Sequence, residues 1–258
     1  MAKQTISGEE LKEIQIQILQ SITDYCEKND LRYFLAYGSL IGAVRHKGFI
    51  PWDDDLDIMM PRPDFEKFCA QYKDKYYEIL SPQTDDKCFI NFAKVHDIRT
   101  RYQESYSKEN NYGIFVDIFP LDGYIDKKQM WKCYILYKLI QYKTSVWNHS
   151  NTLIKNLFLY IIKFFLLPIN TKSFVHQLIS ESKRLKYEDA EFVYYFTEKF
   201  APLRKSIFEE YIYAIFENKK YRIPKDFDEL LKIQYGDYMK LPPEKDRINV
   251  HHAKIWWK

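Results

Sequence analysis

The chain has 258 residues, 46% hydrophobic and 29% charged with only 7 Gly, which excludes disordered and collagen-like classes and allows one substantial core. Its 39 basic and 36 acidic residues leave a net charge of +3, which argues against a nucleic-acid partner. Cys26, Cys69, Cys88 and Cys133 are scattered without CxxC or zinc spacing, so free thiols in a reducing cytoplasm are expected, and the N-terminus has no signal-peptide hydrophobic stretch.

Ser7 followed by Glu10 is a capping-box pattern. Leu11, Ile14, Ile18, Ile22 and Tyr25 then recur at helical spacing, so a helix is predicted over 8–28. RYFLAY (32–37) reads as a strand ended by Gly38 and Ser39, with a short helix through Leu40 to Arg45. LDIMM (56–60) is the next strand, and Pro63 suits the first turn of a helix through DFEKFCAQY. FINFAKVHD (89–97) and GIFVDIF (113–119) read as strands from their β-branched and aromatic content. PLDGYIDKK (120–128) is turn-like, which suggests a boundary near 125. The expected architecture is α+β: a core over 1–125 with a mixed β-sheet flanked by helices, then a largely helical region over 126–258. Within it, LIKNLFLYIIKFFLLPI (153–169) is apolar but carries Lys155 and Lys163 and stops at Pro168. It is too short and charged for a membrane span, and reads as a buried helix or an in-plane helix on a membrane.

The residues that carry chemistry lie in GFIPWDDDLDIMM (48–60). In Asp55-Leu56-Asp57-Ile58, acid and apolar residues alternate, so on a strand the two carboxylates share one face. Two acids held that close need a compensating cation, and hard divalent ions match oxygen ligands. Asp117, inside the apolar FVDIF, is a third candidate ligand, so Asp55, Asp57 and Asp117 form a possible site for Mg²⁺ or Mn²⁺. A calcium loop is excluded by Ile58 where that loop needs Gly. Gly38-Ser39 after a strand supplies amides and a hydroxyl that can hold a phosphate. Metal and phosphate cradle together are the parts of a nucleotidyl or phosphoryl transfer site.

The run YFLAYGSLIGAVRHKGFIPWDDDLDIMMPRPDFEKF (33–68) resembles the signature of the LicD family, bacterial phosphocholine-transferase-type proteins with a nucleotidyltransferase-like fold related to the fukutin group. GIFVDIFPLDG (113–123) and YGDYMKLPP (235–243) resemble later blocks of that family, in the expected order. The resemblance implies transfer of a phosphocholine-type group from a CDP-activated donor, choline being the first choice, to a hydroxyl of a cell-surface glycan or lipid-linked glycan precursor such as lipopolysaccharide or teichoic acid, with release of CMP. It also implies that Asp53, Asp55, Asp57 and Asp117 are the metal or catalytic carboxylates, and that Gly38 and Ser39 are the phosphate turn. Arg45 and His46, in the GAVRHKGF run, and Lys94 are candidate phosphate contacts. His251 and His252 follow the last block, and the residues alone do not choose between them. The C-terminal region would bind the acceptor and complete the site. The protein is expected in the cytoplasm, on the inner face of the membrane if 153–169 contacts lipid. The rival readings are a nucleotidyltransferase that releases pyrophosphate and a non-catalytic binding relative.

Overall fold

A computed structural model of the chain describes residues 4–85, 88–104, 112–144, 168–195, 201–248 and 253–258. Helix α1 (Gly8–Lys28) begins where the capping box places it, with the Ser7 hydroxyl accepting the Glu10 N–H at 3.2 Å. Its apolar stripe, Leu11, Ile14, Ile18 and Ile22, is buried against the central sheet.

That sheet is built from β1 (Phe34–Leu35), β2 (Asp57–Pro61), β3 (Tyr77–Leu80), β4 (Ala93–Asp97) and β6 (Phe115–Gly123), in the order β1-β2-β6-β4-β3. Only the β2/β6 pair is parallel, so the sheet is mixed. α2 (Tyr37–Ile41) follows β1 directly and runs into a π-helical turn over Gly42–His46; α3 (Arg62–Gln71) follows β2. α1 and α3 meet through Tyr25, whose ring stands edge-on to Phe68 at 5.7 Å and Tyr72 at 5.3 Å. Arg62, the first residue of α3, forms a buried two-bonded pair with Asp122 on β6, both contacts at 2.6 Å. That pair ties the end of β2 to the end of β6.

The fold is therefore α+β, a mixed sheet flanked by helices, as expected. Local differences trace to non-local pairing. PLDG, read as the start of a turn, is the end of β6, because Asp122 and Gly123 pair with β7 (Phe192–Tyr194), about seventy residues on. RYFLAY yields only a two-residue strand, because Tyr37 already starts a helix. FINFAKVHD forms a strand only from Ala93.

After residue 126, α4 (Lys127–Thr144) packs on α5 (Thr171–Ser182) around a second small core of Cys133, Leu136, Ile140, Phe174, Val175 and Leu178. This half also adds strands that periodicity did not indicate. β7 extends the sheet and pairs with β8 (Leu203–Arg204), and β9 (Tyr211–Phe216) and β10 (Lys219–Pro224) form a hairpin. α6 (Phe227–Tyr235) follows the hairpin. β11 (Ala253–Trp257) pairs with β5 (Thr100–Glu104). All four cysteines are free and buried. No described helix is long and apolar enough to cross a membrane. The 153–169 segment lies outside the described residues as far as 167, as do His251 and His252.

Candidate active site

The site is set by register. Asp57 pairs with Asp117 across the parallel β2/β6 ladder, and Asp117 pairs with Lys94 across the antiparallel β6/β4 ladder. Directly paired residues share a face, so Asp57, Asp117 and Lys94 stand abreast on neighbouring strands. The Lys94 ammonium donates to both Asp117 oxygens, at 2.7 and 3.0 Å, and lies 3.5 Å from the centre of the Phe115 ring. Asp57 is buried, and its carboxyl is pushed well above the ordinary aspartate range. Burial is the main cause; repulsion from Asp55, then Asp117 and Asp53, adds to it, and Lys94 opposes it. Asp55 was expected on the same strand face as Asp57. β2 starts only at Asp57, so Asp55 lies just ahead of the strand, and it is the strongest charge acting on Asp57.

The turn between β1 and α2 closes over this row. Ala36 N–H donates to the Asp57 carbonyl at 2.9 Å, and the Ser39 hydroxyl accepts the Asp57 N–H at 2.9 Å. Tyr37 between them has φ 45°, a left-handed conformation that costs a bulky residue about 1–3 kcal/mol. Its buried ring stands edge-on to Phe119 at 5.3 Å, packing that helps hold the strained backbone in place. Gly38 and Ser39, expected as a turn, are helical residues of α2. A side chain at Gly38 would collide with the Asp53 carboxylate, so the absence of a Cβ is what lets that acid approach the backbone.

The acid loop is braced from distant parts of the chain. Gln15, on the buried stripe of α1, donates to the Asp54 carbonyl at 2.9 Å, and Asp117 N–H donates to the Leu56 carbonyl at 2.9 Å. At the hairpin tip, Glu217 accepts the Phe49 N–H at 3.1 Å and donates its own N–H to the Lys47 carbonyl at 3.0 Å. Arg45 donates to the Tyr238 carbonyl at 2.6 Å and to His46 Nε2 at 2.9 Å. Burial holds both the guanidinium and the His46 imidazole below their ordinary values, with Arg45 adding to the effect on His46. His46 meets Trp52 edge-on at 6.5 Å, and Arg247 lies over the Trp52 ring at 5.6 Å.

The fold thus gathers Gly38, Ser39, Asp53, Asp55, Asp57, Lys94 and Asp117 around one spot, with Arg45 and His46 bound into the bracing around Trp52. Among the described residues, no three His, Cys, Asp or Glu side chains stand close enough to enclose a metal ion as they are, and the Lys94 ammonium occupies the Asp117 end of the row. Sequence reasoning missed Gln15, Glu217 and Tyr37. Gln15 had a signal, a polar residue on an otherwise apolar helical stripe; the other two had none before the register was known.

A family model described as LicD/FKTN/FKRP, nucleotidyltransferase domain, matches residues 30–158. Along 98% of its length the chain is 28% identical to 98% of a Haemophilus influenzae protein named lipopolysaccharide cholinephosphotransferase LicD. An uncharacterised Rickettsia typhi protein is 30% identical over 42% of this chain and 38% of its own length. Another from Rickettsia prowazekii is 27% identical over 54% of this chain and 53% of its own.

Proposed function

The chain belongs to the LicD/FKTN/FKRP family, and from that premise we propose that it is a transferase that moves a phosphocholine-type group from a CDP-linked donor to a hydroxyl of a cell-surface glycan, releasing CMP. The observation that carries the reading is the row Asp57–Asp117–Lys94 beside the Gly38–Ser39 turn. The Asp53 carboxylate also lies against Gly38, where a Cβ would meet it.

Asp55, Asp57 and Asp117 would hold Mg²⁺ or Mn²⁺. The donor set fits in chemistry, because three further acid charges crowd a buried Asp57 and Lys94 offsets only part of them. When bound, the ion neutralises the charge of the donor diphosphate. Lys94 is the second cation of the site, and its ammonium can shift from Asp117 to a phosphate oxygen. The α2 turn brings the Gly38 amide and the Ser39 hydroxyl to the phosphate. Asp117 would be taken up by the ion, so the Asp53 carboxylate, set against Gly38 and outside that donor set, is the group that takes the acceptor proton. The acceptor oxygen then bonds to the phosphorus that bears choline, the bond to CMP breaks, and CMP leaves with the electron pair. The near full-length likeness to a lipopolysaccharide cholinephosphotransferase supports choline as head group and lipopolysaccharide-type glycan as acceptor. The four free, buried thiols suit a reducing cytoplasm.

The test is phosphorus NMR of the chain with Mg²⁺, CDP-choline and a lipopolysaccharide acceptor. CMP should appear, and Asp57→Asn should slow it by roughly 10²-fold or more with an unchanged circular-dichroism spectrum. Pyrophosphate from CTP without CMP, or full turnover in Asp57→Asn, would overturn the reading.

A further inference from the structure

Away from the catalytic row, the outer face of α4 has no obvious use in transfer chemistry. The geometry points to a role for it: we infer that this face lies on the surface of an anionic phospholipid bilayer. The inner side of α4 is already satisfied. Gln129, Cys133, Leu136 and Ile140 are buried, the last three in a common core with Phe174, Val175 and Leu178 of α5. The outer side exposes Trp131 at 58% and Ile135 at 54%, with Ile125 at 42% just before the helix. A shallow groove of about 480 Å³ runs between them, lined by Lys127, Lys128, Trp131, Lys132, Ile135 and Leu136.

The charge of this face selects its occupant. α4 has five lysines and no acid, and positions 127–180 contain no Asp or Glu at all, in a chain with 36 acids in 258 residues. α4 meets two acids: Asp126 accepts the Gln129 N–H of its first turn at 2.8 Å, and Glu181 is shared between Lys132 at 2.5 Å and Arg184 at 2.6 Å, so the lysines still outnumber the acids beside them. A second copy packed on this face about a twofold axis would set lysine against lysine. An anionic bilayer accepts both halves of the pattern. The Trp131 indole and the Ile135 side chain enter the headgroup boundary, while Lys127 and Lys128 rest their stems on them and reach the phosphates.

The inference does not depend on the proposed reaction, and it is tested without turnover. The full chain is floated with vesicles of phosphatidylcholine alone and of phosphatidylcholine with about a third phosphatidylglycerol. Binding is expected to the anionic vesicles and to fall at least tenfold in high salt, where surface attraction is screened. Trp131→Ser with Ile135→Ser should lower binding about tenfold or more, and Lys127→Glu with Lys128→Glu should remove the preference for anionic lipid. These side chains are exposed, so melting temperatures should stay at the wild-type value. The inference is overturned if wild type stays unbound, if the variants float as wild type does, or if sedimentation shows a dimer that the lysine substitutions dissolve.

Discussion

Replacing Lys94 by Met removes the ammonium from the acid row and keeps the length of the stem against Phe115. The two side chains are 9% and 14% exposed, with the closest contact at 2.7 Å. At an effective dielectric of about 20, that contact alone amounts to roughly 6 kcal/mol of Coulomb attraction. Desolvation of the ammonium offsets much of this, so the net cost of leaving Asp117 and Asp57 without Lys94 is about 3 kcal/mol. Urea unfolding followed by tryptophan fluorescence should show the midpoint falling by about 1 M, at a slope of about 3 kcal/mol per M. Adding Asp117→Asn to Lys94→Met takes away the uncompensated charge, so the double variant should be more stable than Lys94→Met alone. A cost under about 1 kcal/mol for Lys94→Met, or strict additivity in the cycle, would refute the account of Lys94 as the compensating charge of this row.

Two further outcomes follow from the same geometry. His96 Nδ1 accepts the Gly113 N–H at 3.3 Å; burial, helped by the Lys258 ammonium, holds the imidazole down to about 4. The unfolded chain takes up a proton below about pH 6.5 that the folded chain refuses until about pH 4, so this stability is present above 6.5 and is lost as pH falls. The unfolding free energy from urea titration should drop by about 2 kcal/mol more between pH 7 and pH 5 in the wild type than in His96→Gln. Gly38→Ala puts a methyl group on the Asp53 carboxylate, the movable end of a side chain, so the fold should lose under about 1 kcal/mol while CMP release falls about tenfold or more. Equal melting and unchanged turnover in that variant would show that Asp53 can move away without harm.

How much could be read in advance differs element by element. α1 was legible to the residue because a cap and a 3.6-residue stripe are local signals. Asp55, Asp57 and Asp117 were picked out because acid among apolar strand residues has few structural uses, and Asp53 only through the family resemblance. The arrangement that makes them one site was not, since it depends on the parallel pairing of residues 60 positions apart and on Lys94 arriving from a third strand. Lys94 was proposed as a phosphate contact, and its bond to Asp117 required the register. Arg45 was proposed to meet the donor; that its guanidinium reaches the Tyr238 carbonyl, 193 positions away, could not be read from either segment alone. The β9/β10 hairpin turns on Glu217 and Asn218, both left-handed at φ 47° and 63°, without the glycine that usually announces such a turn.

The bracing of the acid loop by Glu217 and Tyr238 also sets a timetable. The carboxylates are made in the first quarter of the chain, and two of the contacts that brace their loop are made in the last fifth. At about 5–20 residues per second, a ribosome needs roughly 10–30 s to travel from Asp57 to Glu217. During that interval the emerging chain carries four aspartates with the Gln15 and Asp117 contacts available but without those of Glu217 and Tyr238. A cell making this protein therefore completes the bracing of the candidate site only once the hairpin and Tyr238 have been synthesised and have folded back.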